Sequence, residues 1–177
     1  YNMVDETWKF AFYQLDLAES QYGGWVGLSD FASLGAGSFL VLERDNQGGP
    51  DAAIKKLYEI SLGDYSFEDG AGLSDKLLVR DLMTDLMALG GLVLEKIEGL
   101  AVTDSGDVWI NNDNDGVDDN SGEQQLVNLG GILEGIDFES FRMYFNRIAS
   151  FPVCLQLDEK CNVDTETVSE ILYASED

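Results

Sequence analysis

The most constraining feature of this 177-residue chain is a pattern that occurs twice. Residues 98–130, EGLAVTDSGDVWINNDNDGVDDNSGEQQLVNLG, hold two strand-like runs at 99–103 and 107–111, joined by a Ser-Gly turn. An acidic loop follows, and then a third run at 124–129. Strand, tight turn, strand, loop and strand are typical of an antiparallel meander. Because residues 27–63 repeat this order, the sequence predicts repeated sheets and a mainly β fold.

Short matching segments align the two copies. Gly27-Leu28 corresponds to Gly99-Leu100, and Asp45-Asn46 corresponds to Asp113-Asn114. Before the first copy, alternating aromatic and polar residues predict one more half-buried strand, the last of a preceding unit. The strands predicted in this half of the chain lie at 7–17, 25–34, 37–43 and 53–62.

Helical patterns occupy the rest of the chain. Between the copies, leucines at 78, 82, 86 and 89 recur at helical spacing and predict an inserted helix at 74–89, which ends before Gly90. Two amphipathic patterns near the C-terminus predict helices at 137–149 and 164–174. We therefore divide the chain into a sheet region, 1–131, with units at about 25–63 and 98–130, and a helical C-terminal extension, 132–177.

The charge of the chain restricts its partners. Thirty-four acidic residues against ten basic ones give a net charge of −24. Such a surface repels phosphate backbones and anionic lipids, so we expect no nucleic acid and no membrane insertion; cations or a basic partner suit it better. The chain starts at Tyr1 rather than Met, which predicts a processed or incomplete polypeptide. Cys154 and Cys161 could form a local disulfide in a secreted or luminal protein, or remain two free thiols.

The acidic loop has the opening pattern of a calcium site. Asn111, Asp113 and Asp115 place oxygen ligands at alternate positions, and Gly116 follows at the turn. A glutamate one position late and the lack of a preceding helical pattern argue against an EF-hand. The alternative is a solvated acidic turn. The predicted calcium ligands are Asn111, Asp113, Asp115, the carbonyl of Val117, Asp119 and Glu123.

Two groups of motifs resemble the phytase-like domain family, often described as having esterase-like activity of phytase. The first is Glu43-Arg44-Asp45 followed by Lys56-Leu57-Tyr58, and the second is Glu98-Gly99-Leu100-Ala101 with Asp113-Asn114-Asp115-Gly116. The resemblance covers about residues 25–131. It implies a β-propeller, a setting that is extracellular or in an organelle lumen, and a metal-dependent phosphoric ester hydrolase activity.

The catalytic inventory is small. The chain contains no histidine, which removes His-based acid–base chemistry and the Ser-His-Asp and Cys-His arrangements. What remains is a metal-bound water that attacks a phosphoester. The candidate carboxylates near such a metal are Glu43, Glu98 and Asp113, although single carboxylates at strand ends are more often turn or cap residues.

Two functions follow from these observations. The sheet pattern predicts two propeller-type blades, fewer than the four or so that a closed propeller needs. The resulting bare sheet edges predict protein partners that cover them. The first interpretation is therefore a non-catalytic binding or structural subunit of a larger extracellular or luminal assembly. The alternative is part of a calcium-dependent phosphoesterase whose remaining blades lie outside this chain.

Overall fold

A computed structural model describes residues 6–35, 37–62, 72–73, 76–90, 92–114 and 123–133. The described part is mainly β, as the sequence predicts, and contains little helix. A short 3-10 turn, Gly49–Asp51, precedes the fourth strand. The elements in chain order are β1 (Phe12–Tyr13), β2 (Val26–Gly35), β3 (Ser38–Asp45), β4 (Lys55–Ser61), β5 (Gly72–Leu73), β6 (Leu77–Asp81), α1 (Met83–Ala88), β7 (Ile97–Val102), β8 (Val108–Asn112) and β9 (Leu126–Gly130).

The strands form two antiparallel sheets and one small parallel pair. The first sheet has the order β2-β3-β4-β6, the second has the order β7-β8-β9, and β1 pairs with β5. Each predicted copy therefore forms a meander, which confirms the strands expected at 25–62 and 98–130. Gly35, the last residue of β2, and Gly37, directly before β3, have φ of 86° and 77°. Glycine enters this left-handed region without a side-chain clash, which permits the tight reversal.

The predicted helix at 74–89 is wrong over its first half. Leu77–Asp81 forms β6, which pairs antiparallel with β4 from Leu77 opposite Glu59 to Asp81 opposite Lys56. The open edge of β4 carries backbone N–H and C=O groups that need partners, and pairing with β6 provides them. The leucine spacing alone could not reveal this competing interaction.

Only the second half of that segment is helical. Asp81 ends the strand, and its carboxylate accepts the N–H of Met83 at 3.0 Å, at the start of α1. Leu82 and Leu86 are fully buried, while Leu78 and Leu89 are more than half exposed. Leu82 and Leu86, which are four residues apart, therefore pack one short helix against the sheets.

The predicted strand at 7–17 is also largely wrong, because only Phe12–Tyr13 is a strand. Phe10 and Phe12 are 75% and 68% exposed, while Ala11, Tyr13 and Leu15 are half-buried, so the predicted alternation is present without an extended strand. It is attached to the first sheet by side-chain hydrogen bonds at Tyr13 and Asp16 rather than by an antiparallel backbone ladder.

The core lies between the two antiparallel sheets. Alternate residues of β3, Leu40 and Leu42, are fully buried with Leu57 of β4. Fully burying one such side chain stabilises the fold by about 1.5–3 kcal/mol. The other buried members of this cluster are Leu34, Leu82, Leu86, Val93, Ile97, Val108 and Ile110.

The two meanders are equivalent, with one correction to the sequence alignment. Asn46 and Asp113 each donate their backbone N–H to a carbonyl just before the first strand, at 3.1 and 2.9 Å. Asp45 and Asn112 therefore occupy equivalent positions, and the alignment of Asp45 with Asp113 was wrong by one residue. In both copies this side chain accepts a backbone N–H from the chain that enters the third strand, at Ala53 and at Gln125. The role is conserved between the copies although the residue type differs.

The first strands of the two sheets are neighbours. The backbone N–H of Leu100 in β7 donates to the carboxylate of Asp30 in β2 at 2.8 Å.

None of the helices in the described ranges has the length and apolar composition needed to cross a bilayer. The predicted helices at 137–149 and 164–174 and the cysteines Cys154 and Cys161 lie outside the described residues. The domain boundary at 131/132 stays a prediction.

Candidate functional site

Strand β3 ends in three consecutive charged residues, Glu43, Arg44 and Asp45, which are only 0%, 6% and 1% exposed. We call these residues the charged end of β3. Burying a charge without a partner is strongly unfavourable, so such residues require ion pairs and hydrogen bonds. Each of the three connects β3 to a different part of the protein.

Glu43 holds the N-terminal segment. Its carboxylate accepts the hydroxyl of Tyr13 at 2.7 Å and the backbone N–H of Asp16 at 2.6 Å. The ammonium of Lys76 donates to the same carboxylate at 2.9 Å. The buried charge is therefore neutralised by one lysine and is hydrogen-bonded by groups from two separate segments.

Asp16 and two lysines extend this arrangement. Lys76 donates to Asp16 at 2.6 Å, and its ammonium lies 4.1 Å from the ring centre of Tyr58 and 5.0 Å from that of Tyr13. The other oxygen of Asp16 accepts the ammonium of Lys56 at 2.8 Å and the hydroxyl of Tyr58 at 2.7 Å. Two carboxylates, two ammonium groups and two phenols thus form one polar cluster on the first sheet.

The proton affinities in this cluster follow from the contacts. Burial alone would raise the pKa of Asp16, but hydrogen bonds from Lys56, Lys76 and Tyr58 outweigh it and hold the pKa well below its ordinary value. Burial and the hydrogen bond to Asp16 raise the pKa of Tyr58 to about 12. Burial and Glu43 likewise raise the pKa of Tyr13. Asp16 therefore stays ionised and the two phenols stay protonated at neutral pH.

Arg44 links the first sheet to the second. Side chains of successive strand residues point to opposite faces, so Arg44 extends away from the Glu43 cluster. Its guanidinium forms an ion pair with Glu98 of β7 and donates to the hydroxyl of Ser29 at 3.0 Å. It also lies 5.1 Å from the ring centre of Trp25, while Glu95 is 3.8 Å away. The ion pair of Arg44 with Glu98 joins the two motifs Glu-Arg-Asp and Glu-Gly-Leu-Ala.

Asp45 secures the loop between β3 and β4. Its carboxylate accepts the N–H groups of Ala53 and Ile54 at 2.7 and 2.9 Å. The ammonium of Lys55 donates to the same carboxylate at 2.5 Å, to the Asp45 carbonyl at 2.9 Å and to the Gln47 carbonyl at 2.8 Å. Lys55 is fully buried, and these three acceptors satisfy its three donors.

The Asp45–Lys55 pair is the most deeply buried ion pair described. Burial alone would raise the pKa of Asp45, yet the hydrogen bonds from Lys55, Ala53 and Ile54 keep that pKa below its usual value. Burial lowers the pKa of Lys55, and the hydrogen bond and charge of Asp45 oppose this effect. Each group is the other's counterion in this buried pair.

Two of the three predicted catalytic carboxylates, Glu43 and Glu98, form ion pairs with different cations. Glu43 and Glu98 lie on opposite sides of β3, the first against Lys76 and the second against Arg44. Asp113 is exposed, and its backbone N–H donates to the carbonyl of Lys96 at 2.9 Å. A catalytic role for these residues stays a prediction. The geometry described here assigns Glu43 and Glu98 to structural ion pairs.

Only part of the predicted calcium loop is described. Asp115, Val117 and Asp119 lie outside the described residues. The side chain of Asn111 lies against Gly99 of the Glu-Gly-Leu-Ala motif, where a Cβ would be 1.8 Å from the Asn111 amide oxygen, so a larger residue here would displace the Asn111 side chain. Asn111 also donates to the carbonyl of Asn112 at 3.2 Å, and Glu123 accepts the Asn112 amide at its backbone carbonyl at 3.1 Å.

Calcium binding stays a prediction for the complete loop. Among the described residues, no three acidic, cysteine or histidine side chains lie close enough to share a metal ion. Hard cations such as Ca²⁺ need six to eight oxygen ligands, and the loop residues at 115–119 would have to supply several of them.

Sequence reasoning missed the residues that organise this cluster. Asp16 and Lys76 carry no motif, and they contact each other and Glu43 from distant parts of the chain. One signal was present, because Glu43, Arg44 and Asp45 directly continue the apolar run at 39–42 within a strand. Charges that follow a fully apolar run in a central strand are buried with it and need partners of opposite sign.

Comparison with known proteins adds one relationship. A family model named phytase-like, described as esterase-like activity of phytase, matches residues 1–116. The matched range includes the whole first meander, strands β7 and β8, and both motifs that Arg44 and Glu98 connect. Neither a curated protein nor a solved structure matches the chain.

Proposed function

The chain belongs to the phytase-like family, and we propose that its two sheets are neighbouring blades of a β-propeller. Three features support this architecture. The sheets are antiparallel meanders, they pack face to face through one core, and their first strands lie side by side at Asp30 and Leu100. In a propeller, the first strand of each blade lines the central channel, so the first strands of successive blades are adjacent.

We propose that this scaffold serves a non-catalytic subunit, which binds protein partners in a larger extracellular or luminal assembly. The observation that carries the proposal is the number of large apolar side chains left exposed on a chain with a net charge of −24. Exposed apolar area on an otherwise strongly charged surface is typical of an interface. The most exposed are Trp8, Phe10, Phe12, Leu17, Tyr22, Phe31, Leu77 and Leu126.

The charged motif residues support the same proposal. Glu43, Arg44, Asp45 and Glu98 are used in ion pairs that hold segments of the protein together. A carboxylate with a lysine or arginine partner has lost part of its capacity to bind a metal, because the cation competes for the same oxygen atoms. In the described region these motifs stabilise the fold.

The test is the composition of the natural protein in its native state. We expect native mass spectrometry of material purified from its natural source to show this polypeptide in fixed stoichiometry with at least one different polypeptide. A natural protein that remains a monomer at micromolar concentration, with no bound partner, would contradict the proposal.

A calcium-assisted phosphoesterase is the second candidate. It is supported by the family match, which extends to residue 116 and so includes the opening of the acidic loop. The test is hydrolysis of p-nitrophenyl phosphate by the natural polypeptide with calcium and with a chelator. Calcium-dependent turnover that the Asp113→Asn variant loses would favour this candidate, and turnover that is equal with chelator would exclude it.

A further inference from the structure

The first strand of each antiparallel sheet carries a β-bulge near its beginning. In β2 the pairing register shifts around Ser29, and in β7 it shifts around Glu98. A bulge turns the side chain of its extra residue out of the regular alternation of the strand. Each first strand therefore presents one polar side chain in a direction that an unbulged strand would not give it.

Both bulged residues contact the same guanidinium. Arg44 donates from Nε to the hydroxyl of Ser29 at 3.0 Å and forms an ion pair with Glu98. The carboxylate of Glu95 lies 3.8 Å from the same guanidinium. The Arg44 side chain is only 7% exposed, so these contacts fix its position.

Arg44 and the two glutamates keep hydrogen-bonding capacity. A guanidinium has five N–H donors. Three of those on Arg44 donate to the hydroxyl of Ser29, the carboxylate of Glu98 and the carbonyl of Asp45, which leaves two without a hydrogen-bond acceptor among the described residues. The side chains of Glu95 and Glu98 are 44% and 30% exposed, so their carboxylates can accept hydrogen bonds from a ligand.

An indole ring completes the arrangement. Trp25 directly precedes β2, and its ring centre is 5.1 Å from the guanidinium of Arg44. The backbone of Trp25 is held by Asn46, whose side chain accepts the Trp25 N–H at 2.8 Å and whose own N–H donates to the Trp25 carbonyl at 3.1 Å. A Cβ at Gly27 would be 2.8 Å from the indole, so the ring lies against the backbone of β2. Trp25 is nevertheless 54% exposed.

The charges beside Trp25 are of mixed sign, which restricts the ligand. A phosphate or carboxylate ligand would meet the carboxylates of Glu95 and Glu98 on a chain whose net charge is −24. A cationic ligand would meet the guanidinium of Arg44, which already lies against the indole. A neutral ligand with several hydroxyl groups avoids both repulsions, because each hydroxyl can donate to a carboxylate and accept from a guanidinium.

From this geometry we propose that Trp25, Arg44, Glu95 and Glu98 form a binding site for a neutral sugar ring. One face of a pyranose carries C–H bonds, which pack on the exposed part of the indole. Neighbouring hydroxyls of the sugar match the paired donors of a guanidinium and the paired acceptors of a carboxylate. Because Trp25 and Arg44 are already held in place, binding orders few additional groups. The proposal requires neither a protein partner nor a calcium ion.

The experiment is isothermal titration calorimetry of the natural polypeptide with the methyl glycosides of glucose, galactose and mannose. We expect saturable binding of at least one of these neutral sugars in the millimolar range. The 6-phosphate and the 2-amino form of the sugar that binds should each bind at least about tenfold more weakly, because each carries a charge into the site. Absence of saturable binding for all three glycosides, or tighter binding of a charged form, would overturn the proposal.

A matched pair of substitutions locates the site. Trp25→Ala should weaken binding of the neutral sugar at least about tenfold, since truncating a large aromatic anchor commonly has such an effect. Leu89→Ala is the control, because Leu89 is 52% exposed but follows α1 and is not part of the site; it should leave the affinity unchanged. Glu95→Gln should weaken binding about two- to tenfold, the usual effect of one hydrogen bond.

Circular dichroism will establish that the three variants are folded. Sugar binding that Trp25→Ala retains would refute the site, because the sugar would then bind elsewhere on the protein. An equal loss in Leu89→Ala would also refute it, since the loss would then not depend on the indole.

Discussion

Removing the charge of Asp45 is the most informative perturbation of this fold. In Asp45→Asn the side chain keeps its size but loses its charge, and its NH₂ group cannot accept a hydrogen bond. The one remaining amide oxygen can accept either from the fully buried Lys55 or from the N–H groups of Ala53 and Ile54, and in both cases Lys55 loses its counterion. Leaving one charge of a buried pair uncompensated costs about 3–5 kcal/mol. For a chain of this size that corresponds to a fall in the melting temperature of about 6–20 °C.

A double-mutant cycle separates the interaction energy between Asp45 and Lys55 from the cost of each single substitution. Lys55→Met removes the ammonium but leaves Asp45 its hydrogen bonds from Ala53 and Ile54, so its cost should be smaller, about 1–3 kcal/mol. In the double variant no buried charge remains unpaired. We therefore expect the double variant to be more stable than Asp45→Asn alone, with a coupling energy of at least about 1 kcal/mol.

The assay is urea denaturation followed by circular dichroism at neutral pH, with a surface pair as the control. Arg80 and Asp85 are 2.7 Å apart, and the Arg80 side chain is 44% exposed. Asp85→Asn should therefore cost no more than about 1 kcal/mol. If Asp45→Asn costs no more than this control, or if the cycle is additive within about 0.5 kcal/mol, the buried pair is not the anchor described here.

Three further predictions concern other charges. The pKa of Asp16 is lower in the folded state than in the unfolded state, so its contribution to stability is complete above about pH 4 and is lost as the pH falls. In Asp16→Asn, the unfolding midpoint should therefore fall less steeply at acid pH than in the unchanged protein. Glu98→Gln should lower the free energy of unfolding by about 1–3 kcal/mol, because its partner Arg44 is nearly buried. Glu95→Gln should cost under about 0.5 kcal/mol, because Glu95 lies 3.8 Å from Arg44 and its side chain is 44% exposed. Equal losses in chemical denaturation would be inconsistent with an ion pair between the sheets at Glu98. Millimolar calcium should raise the melting temperature, and EDTA should reverse that increase. Asp113→Asn or Asp115→Asn should abolish the increase. If the increase survives in both variants, the calcium ion binds elsewhere.

The meanders could be predicted from sequence because their determinants are local. Apolar runs, the Ser-Gly turn and the repeated order of segments specify hairpins whose strands are close in the chain. The expected strands at 25–34 and 107–111 therefore agree with Val26–Gly35 and Val108–Asn112 to within one residue at each end. The family resemblance rests on the same local segments and is borne out by the match over residues 1–116.

The segment at 74–89 shows where local reasoning ends. Its leucine spacing is compatible with a helix, and α1 retains part of that stripe in Leu82 and Leu86. Whether Leu77–Asp81 becomes helix or strand depends on the edge of β4, about twenty residues earlier, which a helical pattern does not encode. Pairing with that edge satisfies backbone groups of both strands, and this outweighs a helix propensity of a few tenths of a kcal/mol per residue.

The sequence by itself determined the mainly β class, the two meanders and the presence of charges at the end of β3. Only the tertiary structure decided how those charges are used: Glu43 with Tyr13 and Lys76, and Arg44 with Glu98. The physical reason is the separation along the sequence of the residues that interact. Hairpins form between residues separated by a few positions, whereas a buried charge takes as its partner whichever opposite charge the folded sheets bring within about 3 Å, at any distance along the chain.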